Sequence, residues 1–173
     1  MIARTVRAFQ QCGAIADIVI VTRPDLIRPI SALCARMDKV RMVVAGGQSR
    51  QESVALGLNA LPKGVELAAV HDGARPLITD AVIDRTVRAA NSCGAAAPAV
   101  PVKDTIKVVR GGLVTDTPDR ASLQAVQTPQ VFDFDLLRGA LKKAAEDAAA
   151  VTDDCSAVER LGMKVKIVEG DER

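Results

Sequence analysis

The chain has 173 residues, 49% of them apolar and 25% charged, with no Trp, no Tyr and three Phe. At roughly 150 residues per domain, residues 1–173 form one domain, large enough to bury a core without disulfide or metal staples. Twenty-three basic against 21 acidic side chains leave a net charge of +2. That lacks the basic excess of a nucleic-acid footprint, and the few aromatics offer bases little to stack on; no nucleic-acid partner is expected.

In chain order, Ile2, Val6 and Phe9 share one helix face that ends at Gly13. Ile15–Val21 is a β-branched strand, Asp25–Met37 a helix with prolines at its start, and Arg41–Val44 a second strand. After the turn Ala45-Gly46-Gly47-Gln48, the spacing Ser49-x-x-Glu52 has the form of a capping box, and Val54, Leu58 and Leu61 face inward. Leu67–Val70 is a strand stopped by His71-Asp72-Gly73-Ala74-Arg75-Pro76. Thr79 opens a helix to about Asn91, with Gly94 as its stop. Ala95–Val100 reads as a strand of weak propensity, and Asp104–Val109 and Leu113–Thr115 as a hairpin around Gly111-Gly112. Leu123–Val126 is a strand, Asp133–Ala149 a long helix and Met163–Val168 a last strand. Between the last two, Thr152 or Asp153 caps a helix to Leu161.

Strands alternating with helices predict a mainly parallel sheet covered on both faces. The hairpin, an arm of about residues 103–126, breaks that alternation and suits contact with a partner subunit. Cys12, Cys34, Cys93 and Cys155 show no metal-binding spacing and read as reduced core residues. No run approaches the ~20 apolar residues of a membrane span, and no signal segment stands at the N-terminus. The expectation is a cytoplasmic protein without a membrane partner.

Ligands of open α/β sheets bind beyond the carboxyl ends of the strands. Two segments lie there: Gly46–Arg50, before a helix N-terminus that favours anions, and His71–Pro76, where Asp72 suits a divalent metal or a hydroxyl. Taken alone, the glycine pair reads as a turn needing positive φ, Asp72 and Arg75 as a pair fixing their loop, and Thr152-Asp153-Asp154 as a helix start with favourable dipole charges. A single histidine and no elbow serine disfavour a hydrolase triad.

The ordered set is far more specific than its members. Gly46–Val54, His71–Pro76, Pro101–Lys107, Thr117-Pro118-Asp119-Arg120, Gln127-Thr128-Pro129-Gln130 and Thr152-Asp153-Asp154 together resemble the 2-C-methyl-D-erythritol 4-phosphate cytidylyltransferases of non-mevalonate isoprenoid synthesis. The resemblance runs through the whole chain. It implies a Rossmann-like nucleotidyltransferase sheet that joins CTP to a small polyol phosphate, with Mg2+, and releases pyrophosphate. It further implies nucleotide binding by Gly46, Gly47, Gln48, Arg50, Ser53, Asp72 and Gly73, and a metal at Asp72. Substrate would meet Asp72, Arg75, Thr105, Arg120, Thr128 and Thr152, with Asp72 and Arg120 catalytic. In a homodimer, the arm carrying Thr105 and Arg120 would reach the neighbouring site.

Gly73, Pro118 and Gln48 stand where the family usually has Ala, Val and an acid. The family also begins with a strand and a glycine-rich loop bearing Arg and Lys, and carries an Asn-Ile-Lys segment after its last strand. Neither is found here, so the reading expects a chain cut at both ends, with little turnover alone. Its sheet should hold a gap or have re-paired neighbours. Alternatives are transfer to ribitol 5-phosphate, or a non-catalytic remnant.

Overall fold

In a computed structural model that describes residues 1–172, the chain alternates helices and strands for most of its length. Helix α1 (Ile2–Gln11) leads to strand β1 (Ile18–Thr22). A 3-10 turn at Pro24–Leu26 and helix α2 (Ile27–Cys34) precede β2 (Val40–Ala45). Then follow α3 (Arg50–Asn59), β3 (Leu67–Val70), α4 (Asp80–Cys93) and β4 (Ala95–Pro101). The arm is β5 (Val108–Arg110) and β6 (Leu113–Asp116); β7 (Gln124–Val126) and β8 (Gln130–Asp133) follow it. The chain finishes with α5 (Phe134–Glu146), α6 (Asp154–Glu159) and β9 (Lys166–Glu169).

β1 and β2 pair in parallel, with α1 and α2 covering one face through Val6, Ile20, Ile30 and Cys34. The larger sheet centres on β4. Ala96 and Ala99 each pair with β9 on one edge and with β8 or β7 on the other. β7 and β8 therefore follow each other along a single edge of β4, and the chain leaves that ladder at Gln127–Pro129. β3 pairs with the outer edge of β8. Since β3 and β4 both run antiparallel to β8, they share a direction with β9, and the sheet is mixed. The antiparallel rungs come from β7 and β8, and β8 is a strand that the sequence pattern did not reveal.

β4 is deeply buried despite its low propensity. Ala95 and Ala97 lie under Phe132, Leu137 and Val158, while Ala96 packs on the other face with Ala90 and Val131. Small side chains let helices close on both faces, and this burial outweighs weak intrinsic preference. The other alanine run, residues 148–150, has no such role: Ala148 is exposed at φ 48° just past α5.

β1 and β3 do not pair with each other. Successive residues Ile18–Val21 and Leu67–Val70 all line one cavity of about 860 Å3. Alternating side chains point to opposite faces, so a run of consecutive lining residues means that the cavity follows strand edges. The two sheets are therefore separated along these edges by the cavity.

Candidate functional site

The first loop leaves β2 at Ala45, and the Gly46 N–H donates to the Thr22 carbonyl (2.8 Å). Ser49 caps α3 by accepting the Glu52 N–H (3.1 Å), but Glu52 reaches past the cap to accept the Gln48 N–H (2.6 Å). The Ser53 hydroxyl accepts the Gly47 N–H (3.1 Å) and donates to the Ser49 carbonyl (2.8 Å). The first turn of the helix thus holds the loop that precedes it. Neither glycine has positive φ, contrary to the turn-based expectation. The constraint is space: a Cβ on Gly47 would lie 2.5 Å from the Glu52 Cβ, and one on Gly46 2.7 Å from the Ser53 Oγ.

The second loop is placed by register. Val70, the last residue of β3, pairs with Gln130 of β8, so His71 and Asp72 emerge beside Thr128. The Thr128 hydroxyl accepts the Asp72 N–H (3.2 Å) and bonds to His71 Nδ1 (3.0 Å). His71 Nε2 faces the Arg75 carbonyl (3.2 Å). A carbonyl only accepts, so Nε2 carries the proton and Nδ1 accepts from Thr128. The ring packs against Phe9 (centroids 4.7 Å apart), and burial holds the imidazole pKa below its ordinary value. Arg75 Nε donates to Asp72 Oδ2 (3.0 Å), and the Arg75 N–H to the Asp72 carbonyl (3.0 Å). Asp72 remains 42% exposed, with its second carboxylate oxygen available.

Between the loops lies Arg50, whose guanidinium donates to Asp154 Oδ2 (2.6 Å) and is held charged by that carboxylate. Gln130 Oε1 accepts the Asp154 and Cys155 N–H groups (3.1 Å each), and Gln130 Nε2 donates to Asp153 Oδ2 (2.8 Å). Asp153 is the cap of α6, in a capping box with Ser156. Arg50, Ser53, His71, Asp72 and Gly73 all line the cavity between β1 and β3. In the sequence, Asp154 and Gln130 stand only within longer motifs. The available signal was an acid and an amide next to residues of a buried pattern.

Several predicted site residues lie elsewhere or are already engaged. Thr105 and Arg120 are exposed at the base of the arm, where Arg120 donates to the Lys103 carbonyl (2.8 Å). Neither lines the cavity. Thr152 is exposed one residue before the α6 cap, and Thr128 is 6% exposed with its hydroxyl engaged inside the protein. Among the described residues no group of three or more His, Cys, Asp or Glu is placed to hold a metal ion. All four cysteines are free, but Cys93 is exposed rather than a core residue, because it sits in the last turn of α4.

Two polar loops follow the carboxyl ends of β2 and β3, one opening a capped helix beside an arginine, and this is where α/β folds bind nucleotides and other anionic ligands. The comparisons narrow this further. The IspD family model, 2-C-methyl-D-erythritol 4-phosphate cytidylyltransferase, matches residues 1–173. The enzyme of that name from Desulforamulus reducens is 45% identical over 174 residues, covering 98% of this chain and 74% of the relative. That from Geobacillus kaustophilus is 45% identical over 175 residues, covering 100% and 76%. Among solved structures, the 4-diphosphocytidyl-2C-methyl-D-erythritol synthase of Anaerococcus prevotii superposes with a TM-score of 0.93 at 31% identity, covering 99% of this chain and 77% of that one. The cytidylyltransferase of Thermus thermophilus gives 0.83 at 33%, covering 98% and 78%. The chain belongs to the 2-C-methyl-D-erythritol 4-phosphate cytidylyltransferase family of nucleotidyltransferases.

Proposed function

We propose that this chain, acting as one catalytic domain in the cytoplasm, transfers the cytidylyl group of CTP to 2-C-methyl-D-erythritol 4-phosphate in isoprenoid precursor synthesis. Family membership over residues 1–173 carries this reading, and the Asp72 side chain, 42% exposed in a cavity it shares with Arg50 and Ser53, supports it. An oxygen of the substrate phosphate forms a bond to the α-phosphorus of CTP. The bond from that phosphorus to the bridging oxygen breaks, and pyrophosphate leaves. Such a displacement depends on alignment and charge neutralisation rather than on a covalent enzyme intermediate.

Gly46, Gly47, Gln48 and Ser53 bring backbone close to the cytosine and ribose, with Arg50 and Gly73 at the rim. Asp72 faces the substrate hydroxyls or the metal-bound nucleotide, and Arg75 holds the loop. A lone carboxylate with one oxygen available fits Mg2+, which keeps several waters and is bound through one or two carboxylates plus substrate phosphates. Asp72 would hold the ion there, which would supply charge neutralisation at the triphosphate. Thr128 acts through Asp72 and His71 rather than on substrate, and Thr152 lies at the outer rim. In a homodimer, the exposed arm presents Thr105 and Arg120 to the neighbouring site, with Arg120 on the polyol phosphate.

Pyrophosphate release with CTP and Mg2+, comparing methylerythritol 4-phosphate with ribitol 5-phosphate, tests the reading. Faster release with methylerythritol phosphate is expected. A preference for ribitol phosphate, or CTP binding without turnover, would overturn it.

A further inference from the structure

We propose that Asp154, which lies on neither site loop, is a positioning residue that fixes Arg50 and, through it, the Gly46–Ser49 loop. The ion pair joins residues 104 apart in sequence, stitching the first turn of α3 to the first turn of α6. Its two ends are unequal. The Asp154 side chain is 1% exposed and that of Arg50 is 42% exposed. The Asp154 end is rigid: its own N–H is held by Gln130, and Gln130 is held in turn by the Asp153 cap. Arg50 is the half that can swing, and it is the first residue of the helix whose opening turn holds the Gly47 and Gln48 N–H groups.

A plain stabilising role explains less. As a helix-dipole charge, Asp154 would be as useful on the exposed side of α6, where its carboxylate would be hydrated. Instead it is buried, and Oδ1 has no hydrogen-bond partner among the described residues. A buried, half-satisfied carboxylate is costly, and a buried ion pair can often be replaced by apolar residues without loss of stability. What an apolar residue could not do is hold a guanidinium in one orientation. With one N–H on Asp154, Arg50 is held at the cavity wall, where the charges of Asp72 and Asp153 also favour its protonated form. The site is thereby preorganised before a ligand arrives.

This inference rests on the reading that the loop takes the nucleotide, and two measurements separate the claims. In the nucleotide-free protein, Asp154→Asn, close in shape but uncharged, should raise amide hydrogen exchange over residues 47–53 about tenfold, the loss expected for one charge-assisted hydrogen bond. In calorimetric titrations with CTP and Mg2+, the same variant should raise Kd about tenfold. An Arg50→Gln background should abolish both increments. Unchanged loop exchange with a lowered Tm would reduce Asp154 to a helix-dipole charge and overturn the inference. If the unmodified chain does not bind CTP, the nucleotide reading fails, and the exchange measurement still decides the clamp. Should Asp154→Asn not fold, Arg50→Gln, altered at the exposed end, must show the same rise in loop exchange or the inference falls.

Discussion

Replacing Thr128 by Val removes one hydroxyl at nearly constant volume and leaves two groups without a partner, the Asp72 N–H and His71 Nδ1. An unsatisfied buried donor or acceptor costs about 1–3 kcal/mol. Thr128 is 6% exposed, but Asp72 and His71 are only half-buried, so water recovers part of the loss. About 2 kcal/mol is the expected net cost, and for a domain of this size that lowers Tm by roughly 4–8 °C. Thr128→Ser keeps the hydroxyl and should stay much closer to the unmodified protein. Thermal unfolding at pH 7.5 measures both. The pH dependence adds a second check. Burial lowers the folded-state pKa of His71, so the unfolded chain takes up its proton first, near its ordinary value of about 6.5. The stability that neutral His71 contributes is complete above that value and declines as pH falls through it towards the lower folded pKa. His71→Gln should flatten this decline. If Thr128→Val unfolds within 1 °C or so of the unmodified protein, or Thr128→Ser is equally damaging, the hydroxyl is not what orders the second loop.

Gly47→Ala should cost about 1–2 kcal/mol in urea unfolding, because the new Cβ meets Glu52 and forces it off the Gln48 N–H, whereas Gly13→Ala, with nothing within 4 Å, should be close to neutral. Val109 and Leu113 are exposed on the arm, so in the proposed homodimer Val109→Glu with Leu113→Glu should shift sedimentation from dimer to monomer while leaving the Tm of the domain almost unchanged; an unaltered sedimentation coefficient would remove the arm from the proposed interface. In a thiol titration of the native protein, Cys93 alone should react rapidly, because Cys12, Cys34 and Cys155 are buried and burial raises their pKa values. Rapid reaction of a second thiol would mean that the core opens locally.

Features that depend on near neighbours could be read directly from the chain. Leu67–Val70 forms the strand its apolar run predicts, Ser49 caps α3, and Gly94 ends α4 at φ 82°. Gly111 and Gly112 turn the hairpin at φ 57° and 80°, the left-handed pair that a two-residue turn requires. Each rests on interactions within a few residues, where periodicity, capping and turn chemistry act. The candidate loops were legible for the same reason, since both follow strands, and the ordered motifs were enough to indicate the family.

What depended on distant partners was decided by tertiary structure. β8 is four residues long and opens on a polar Gln130; it exists because β3 and β4 supply ladders on both of its edges. Its register places Thr128 against His71 and Asp72, where its hydroxyl supports the loop. The glycines at 46 and 47 answer to the closeness of Ser53 and Glu52, not to a backbone angle. Asp154 stands in the first turn of α6, as the helix-start motif indicates, but its ion pair with an arginine 104 residues away could not be read from the chain. Local chemistry specifies the elements and their ends. Register, burial and long-range pairing then determine which polar side chains face a ligand and which ones hold those in place.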